Sequence, residues 1–131
     1  MKDPYHAPIE QETLSNTDFR RVVWTGEHLQ VVLMSIAAGE DIGVETHPHV
    51  DQFFRIEKGE GRAVINGAEY SLADGTALVV PAGEEHNIIN TGDVPLLLYT
   101  VYAPPNHIDG RVHHTKADAL ADEADEAAGP Q

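Results

Sequence analysis

Between Phe19 and Tyr102, short runs of β-branched and aliphatic residues alternate with turn residues at close, regular intervals. Many short strands with this spacing predict an all-β barrel or sandwich. Asn66-Gly67 is a strong hairpin signal, because a type I′ turn needs a positive φ at both central residues. We predict strands at Arg20–Trp24, Leu29–Ile36, Gly43–Thr46, Gln52–Glu57, Gly61–Ile65, Glu69–Leu72, Ala77–Val80, His86–Asn90 and Leu96–Tyr102.

The composition narrows the class of protein. A chain of 131 residues suits one domain with a single core. With 8 basic and 22 acidic residues the formal net charge is -14, so we expect neither nucleic acid nor a membrane surface as partner. The chain has no cysteine, which excludes disulfides, thiolate metal ligands and thiol catalysis. No apolar signal core and no spanning run is present, so we expect a cytoplasmic protein.

The two ends of the chain differ in character from the predicted barrel at 19–103. Residues 1–18 are polar, carry two prolines and show no period, which predicts an arm or an edge strand. No helical period appears before residue 115. Residues 104–131 begin irregularly, and Thr115 or Asp118 could cap a short acidic helix from about Lys116 to Ala127. Such an acidic stretch is typical of a solvated face or a frayed tail.

Two glycine-framed stretches, Gly39–Gly59 and Gly75–Asn90, carry the residues best suited to chemistry. They contain two imidazoles, a carboxylate and a carboxamide, all of which can donate a lone pair to a divalent metal; the four residues are Glu45, His47, Gln52 and His86. Zn, Fe, Mn, Co and Ni all accept such mixed nitrogen and oxygen donors. Glu45 and His47 share a face if their segment is extended, but periodicity alone does not bring the segments together.

The spacing within these stretches resembles the two motifs of the cupin family. The first motif places Gly39, Glu45, His47, Gln52 and Gly59 at the family's positions, and the second does so for Gly75, Pro81-Ala82-Gly83, His86 and Asn90. The resemblance implies a double-stranded β-helix (jelly-roll) barrel with a short C-terminal helix or tail. It also implies a divalent metal at the barrel mouth, bound by the residues at the four ligand positions.

The ligand residues depart from the usual cupin set of His, His, Glu and His. Here Glu45 replaces the first His and Gln52 replaces the Glu. A set of one Glu, one Gln and two His is similar to the phosphomannose isomerase-like branch, although there Gln comes first and Glu third. Gln is a weak neutral ligand, so Gln52 could be a more distant partner of the metal. If His47 and His49 were the His-x-His pair of the motif, their distances from Gly39 and Gln52 would no longer match the family's spacing. The spacing therefore favours Glu45 and His47 as the first two ligands.

Three functions are compatible with these residues. We favour a metal-dependent enzyme that moves a proton on a small polar substrate of sugar or carbonyl type, as in aldose–ketose isomerisation, with His49 and His107 as candidate catalytic residues. The alternatives are an Fe or Mn dioxygenase and a non-catalytic module that binds a small ligand. Arg55 and Arg62 could bind an anionic substrate, although solvent or interface positions suit them better. By analogy with small cupins we expect a homodimer.

Overall fold

The computed structural model describes residues 2–128, and the side chains of residues 2–125. The elements in chain order are α1 (Ile9–Ser15), β1 (Arg20–Thr25), β2 (Gln30–Ile36), β3 (Asp51–Lys58), β4 (Gly61–Ile65), β5 (Ala68–Leu72), β6 (Ala77–Val80), β7 (His86–Asn90), β8 (Leu96–Ala103), β9 (Val112–His113), α2 (Lys116–Ala121) and α3 (Glu123–Ala128). The predicted all-β class is confirmed, and every predicted strand except Gly43–Thr46 is present to within one residue at each end.

The strands form two antiparallel sheets that enclose one core. The larger sheet has the order β6-β3-β8-β2-β1-β9, and the smaller sheet has the order β5-β4-β7. Alternate residues of the strands point between the sheets, where they form a single buried apolar cluster that includes Val32, Met34, Ile36, Phe54, Ile56, Ala63, Ile88, Leu96 and Leu98. This is the double-stranded β-helix arrangement that the resemblance to the cupin family implies.

The predicted hairpin at Asn66-Gly67 is confirmed. Both residues have positive φ, 48° for Asn66 and 84° for Gly67, and the strands on either side pair directly from Ile65 to Ala68. A two-residue turn of this hand matches the right-handed twist of the strands that it joins. The turn therefore fixes the register of β4 against β5.

The N-terminal arm contains a helix, so the expectation of an edge strand and of no helix before residue 115 is wrong. Helix α1 packs against β8, β3 and β2, and it places Thr13 in a fully buried position where the hydroxyl donates to the Ile9 carbonyl at 2.7 Å. Asn16 then turns to an extended conformation and ends the helix. Seven residues give too few turns for a helical period to be visible in the sequence.

The segment predicted as a strand at Gly43–Thr46 makes one isolated bridge, Glu45 with His86, and a second bridge, Asp41 with Ile89, lies just before it. It runs along the free edge of β7 without forming a regular strand. Gly43 has a φ of 106°, which interrupts the extended conformation between the two bridges. The prediction of a regular strand is therefore wrong, although the segment does lie beside the smaller sheet.

The C-terminal region forms two short helices where the sequence predicted one. Thr115 caps α2 by accepting a hydrogen bond from the Asp118 amide at 3.1 Å, as expected. Asp122 leaves the helical conformation, and its carboxylate accepts the Asp125 amide at 3.1 Å. Because Asp122 can cap the following turn in this way, it starts a second helix. None of the helices among residues 2–128 has the length and apolar character needed to cross a membrane.

The acidic C-terminal segment is also less solvated than expected. Asp125 is only 3% exposed, and it accepts hydrogen bonds from the Ile108 amide at 2.7 Å and from the His107 ring at 2.8 Å. These bonds tie α3 to the loop after β8. The segment predicted as a solvated face therefore supplies a buried carboxylate.

We predict that Gly61→Ala destabilises the fold, because a Cβ at this position would lie 2.5 Å from the Ile89 carbonyl oxygen of the neighbouring strand. Such overpacking costs about 1–3 kcal/mol. Gly92→Ala is the matched control, since its Cβ would meet no atom closer than 3.5 Å. Chemical denaturation of both variants tests the prediction. Equal free energies of unfolding for the two would contradict this account of β4 packing.

We predict that Asp125→Asn lowers the free energy of unfolding by about 1–3 kcal/mol, because the amide nitrogen cannot accept the hydrogen bonds that the carboxylate accepts. The control is Asp93→Asn, an exposed residue whose replacement should change stability by less than about 0.5 kcal/mol. Thermal and urea unfolding measure both. A solvated C-terminal segment would instead give the same small effect for the two variants.

Candidate metal centre and cavity

The pairing of residues 41–45 with β7 brings two of the predicted ligands together. Glu45 and His86 exchange both backbone hydrogen bonds, each 2.9 Å long. The Asn87 side chain strengthens this pairing, since it accepts the Gly43 amide at 2.9 Å and donates to the Asp41 carboxylate at 2.8 Å. The Glu45 and His86 side chains are therefore held on adjacent backbones.

His47 lies two residues beyond Glu45 and turns to the same face. Its Nε2 atom is 3.0 Å from Glu45 Oε2, but the approach departs from hydrogen-bond geometry and this buried nitrogen has no hydrogen-bond partner among the described residues. The ring centroids of His47 and His86 are 5.5 Å apart. Two imidazoles bound to one metal through nitrogens about 2.1 Å from it have centroids about 4.5–6 Å apart, so this separation fits a shared ion.

The hydrogen bonds of Gln52 fix the orientation of its amide. Thr100 donates its single hydroxyl hydrogen to the Phe53 carbonyl at 2.8 Å, so at 3.0 Å from Gln52 it must accept from the amide nitrogen. The carbonyl oxygen Oε1 of Gln52 is then buried without a partner in the described part of the chain. A buried acceptor left unpaired is costly, and a metal ion or a donor hydroxyl would relieve that cost.

His86 is fixed in one tautomer. Its Nδ1 atom lies 3.0 Å from the Glu84 carbonyl oxygen, and because a carbonyl can only accept, Nδ1 carries the hydrogen and Nε2 keeps its lone pair. Burial lowers the pKa of His86 more than the Glu84 carbonyl raises it, which keeps the ring neutral. A neutral imidazole oriented by a backbone carbonyl is the usual form of a metal-binding histidine.

Glu45 supplies the negative charge of this group. Burial raises the pKa of Glu45, but the contact with His47 and the positive charge of Arg20 outweigh that effect and hold the pKa below its ordinary value. The carboxylate is thus ionised at neutral pH. Together, the carboxylate and the lone pairs of His47, Gln52 and His86 form a donor set that can hold a divalent metal.

A second group of possible ligands lies outside this set. Of the described residues, His113, Asp122 and Asp125 place ligand atoms within 4.8 Å of one another. However, Asp122 already contacts the His113 ring at 2.8 Å and the Arg111 guanidinium at 3.2 Å, and both oxygens of Asp125 accept hydrogen bonds. Asp122 also accepts the Asp125 amide through its second oxygen. Because all four carboxylate oxygens of this group already have partners, we regard the group as structural.

A cavity of about 380 Å³ opens beside Glu45 and His47, which is large enough for a small molecule. Its walls include Phe19, Arg20, His107, Lys116 and Asp125. Lys116 is paired with the Asp41 carboxylate. A larger groove of about 730 Å³, lined by Leu14, Val94 and Leu97 among others, contains none of the four predicted ligands.

His107 lies in the cavity wall, where the Pro-rich segment after β8 folds over the barrel. Asp125 accepts the hydrogen on Nδ1, so Nε2 accepts the Tyr102 hydroxyl at 3.1 Å. Burial, together with the positive charge of Arg20, lowers the pKa of His107 more than Asp125 and Glu45 raise it, and burial raises the pKa of Tyr102. Both groups are therefore neutral, and they form a hydrogen-bonded chain from Asp125 through His107 to Tyr102. The Tyr102 ring contacts the His47 ring edge-on, with centroids 6.0 Å apart.

His49, the other predicted catalytic residue, is exposed in a turn at residues 48 and 49. It is not among the residues that line the cavity. Arg55 and Arg62 form ion pairs with Glu57 and Glu69, and Arg62 lies at an exposed position. Neither arginine lines the cavity.

Sequence reasoning missed three residues beside the site: Arg20, Tyr102 and Asp125. Arg20 and Tyr102 lie in predicted strands whose sequences resemble those of the other barrel strands. Asp125 is one of several acidic residues in the C-terminal stretch. Without the fold, no motif in the sequence distinguishes these three residues from their neighbours.

Comparison with known proteins identifies the family. Residues 32–102 match the cupin domain. The uncharacterized protein YrkC of Bacillus subtilis is 52% identical over 126 residues, which cover 92% of this chain and 68% of YrkC. The crystal structure of BH2720 from Bacillus halodurans has a TM-score of 0.89 and 50% identity, with 91% of this chain and 95% of that chain covered.

A more distant match is the mannose-1-phosphate guanylyltransferase ManC of Salmonella typhimurium. It is 32% identical over 76 residues, which cover 58% of this chain but only 16% of that enzyme. The two motifs and the β-helix fold agree with the family match, which spans more than half of the chain. The chain is therefore a small member of the cupin family.

Proposed function

We propose that this cupin is a divalent-metal-dependent enzyme that transfers a proton on a small hydroxy-carbonyl substrate, in the manner of an isomerase. The observation that carries the proposal is the hydrogen-bonded chain of Asp125, His107 and Tyr102. Its first two members line the same cavity as His47, whose buried Nε2 atom has no hydrogen-bond partner among the described residues. The two groups together offer a place for a metal and a path for a proton.

Glu45, His47, Gln52 and His86 would hold the metal. When bound, a divalent ion polarises a carbonyl or hydroxyl oxygen and stabilises developing negative charge on it. The protein contributes the orientation of the donors: the Glu84 carbonyl fixes His86 and the Thr100 hydroxyl fixes Gln52.

His107 is suited to exchange the proton, since it is neutral and lines the cavity. Asp125 orients the ring and stabilises the charged form that arises when Nε2 accepts a proton. A carboxylate often has this role beside a histidine that acts as a general base. Tyr102 keeps its own proton at neutral pH because burial raises its pKa. Tyr102 does not line the cavity; its hydroxyl donates to His107 Nε2 and would hold the ring until a substrate displaces that hydrogen bond.

A relative also supports a sugar-type substrate. ManC is named for an activity on mannose 1-phosphate, a phosphorylated sugar with several hydroxyl groups. The matched region is a small part of that enzyme, so the likeness supports the substrate class and not the transfer reaction.

We predict that Glu45→Ala and His86→Ala lower zinc affinity at least about 100-fold, because each removes a direct ligand. Replacement of the exposed His28 by Ala is the control and should leave affinity unchanged. Zinc content after dialysis and competition with a chelator measure the effect, and circular dichroism checks the fold of each variant.

Asp122→Asn distinguishes the two groups of possible ligands, since Asp122 belongs to the group of His113, Asp122 and Asp125 and is none of the four proposed ligands. This variant should retain zinc. Loss of zinc in Asp122→Asn together with full zinc content in His86→Ala would contradict the proposed centre.

We predict that the metal-loaded protein exchanges the hydrogen next to the carbonyl of an aldose, a ketose or one of their phosphates for deuterium in heavy water. His107→Gln should slow this exchange by about 100-fold or more with zinc content unchanged, and His28→Gln should have no effect. Proton NMR follows the exchange. No exchange by the wild-type protein with any sugar of the panel would contradict isomerase-like chemistry.

The alternative of an Fe or Mn dioxygenase has one specific observation in its favour, because two histidines and one carboxylate are the ligands of many non-haem iron sites. Oxygen uptake by the Fe(II)-loaded protein with diketones or catechols would support this alternative. Metal retention without exchange or oxygen uptake would leave the non-catalytic binding module as the function.

A further inference from the structure

The Arg20 side chain carries a buried positive charge that no described residue pairs. Arg20 is 7% exposed, and its Nε atom has no hydrogen-bond partner in residues 2–125. No ion pair joins its guanidinium to a carboxylate within that part of the chain. Removing a charge from water without a partner is costly, so this position indicates a role that the barrel alone does not explain.

The position of Arg20 relates it directly to the cavity. It begins β1 between Met34 of β2 and His113 of β9, and its guanidinium carbon lies 5.3 Å from the centroid of the Phe19 ring. Both side chains line the cavity that also borders Glu45. The guanidinium is therefore held by an aromatic face at the wall of the same cavity.

Two carboxylates lie near Arg20 without contacting it. Its charge helps to lower the pKa of Glu45 and of Asp125, but the Glu45 carboxylate lies 3.0 Å from His47 Nε2 and Asp125 accepts from the His107 ring. The other cation in the cavity wall, Lys116, is already paired with Asp41. Among the described lining residues, Arg20 is thus the cation that a ligand can engage.

We propose that Arg20 binds the carboxylate of a small hydroxy- or oxo-carboxylic acid, the substrate or ligand of this cavity. The proposal deepens the proposed function, since it rests on a metal at Glu45, His47, Gln52 and His86. The planar guanidinium fork matches a carboxylate through two parallel hydrogen bonds. The hydroxyl or carbonyl end of the same molecule would face the metal-binding residues.

The charge of the occupied site favours a carboxylate over a phosphate. A divalent ion and Arg20 together carry three positive charges, and the carboxylates of Glu45 and Asp125 carry two negative charges, so a single positive charge remains. A monoanion neutralises that charge, whereas a phosphate monoester at neutral pH carries about 1.5–2 negative charges. The cavity of about 380 Å³ also suits a small acid.

The test compares matched ligands on the zinc-loaded protein of 131 residues by isothermal titration calorimetry. Gluconate is the carboxylate probe, glucose the neutral probe and glucose 6-phosphate the phosphate probe. We expect gluconate to bind at least about 10-fold more tightly than glucose and more tightly than glucose 6-phosphate. Equal affinity for gluconate and glucose would overturn the proposal, and tighter binding of the phosphate would overturn the carboxylate class.

Variants then assign the preference to one residue. Arg20→Gln should abolish the preference for gluconate, and Arg20→Lys, which keeps the charge but not the fork, should reduce it. Arg21→Gln is the matched control, because Arg21 is the exposed neighbour on the same strand, and it should keep the preference. An unchanged preference in both Arg20 variants would overturn the proposal.

The zinc content of each sample separates this proposal from the metal site. Loss of selectivity in Arg20→Gln with zinc still bound would support the anion site. A wild-type protein that binds no zinc would refute the proposed function. In that case, an anion site at Arg20 would still be supported if the wild-type protein preferred gluconate and Arg20→Gln abolished this preference. If the wild-type protein showed no preference for gluconate, the anion site would be overturned as well.

Discussion

The backbone pairing of Glu45 with His86 is the contact on which the candidate site depends. It joins two segments 41 positions apart in the chain, and it does so without a regular strand, through two isolated bridges and the side chain of Asn87. The same edge brings His47 against His86 and positions the loop that returns to β3. A change that released residues 41–45 from β7 would separate the metal-binding residues while leaving most of the barrel intact.

The site is also notable for the polar atoms that it leaves without partners. Five buried side-chain atoms lack hydrogen bonds in the described part of the chain, and three of them lie at the candidate site: His47 Nε2, Gln52 Oε1 and Arg20 Nε. Proteins usually satisfy such atoms, so three of them around one region of the barrel indicate ligands that come from outside the chain. The nitrogen and carbonyl oxygen suit a cation and the guanidinium suits an anion, which together describe a metal and an acidic molecule bound side by side.

Much of the fold could be predicted from the sequence because strand alternation and turn residues are local signals. The Asn66-Gly67 turn and the strands from β3 to β8 follow from them directly. Helix α1 was missed because seven residues show no period, and Asp122 divides the C-terminal helix through a side-chain cap that composition does not reveal. These two errors lie outside the barrel, whereas the strand wrongly predicted at Gly43–Thr46 lies at its edge.

The site was predictable only in part. Motif spacing selects Glu45, His47, Gln52 and His86, whereas Arg20, Tyr102 and Asp125 reach the same region from β1, β8 and α3. That convergence depends on long-range pairing, which no local pattern encodes. The sequence shows that Glu45 and Gln52 stand where cupins usually have His and Glu. Only the structure shows that Gln52 Oε1 has no hydrogen-bond partner in the described part of the chain.

X-ray absorption spectroscopy of the protein loaded with one equivalent of zinc tests the central claim most directly. We expect the zinc to be bound by nitrogen and oxygen ligands that include two imidazoles, from His47 and His86. A set of ligands with one imidazole and carboxylate oxygens, as His113, Asp122 and Asp125 would provide, would contradict this claim.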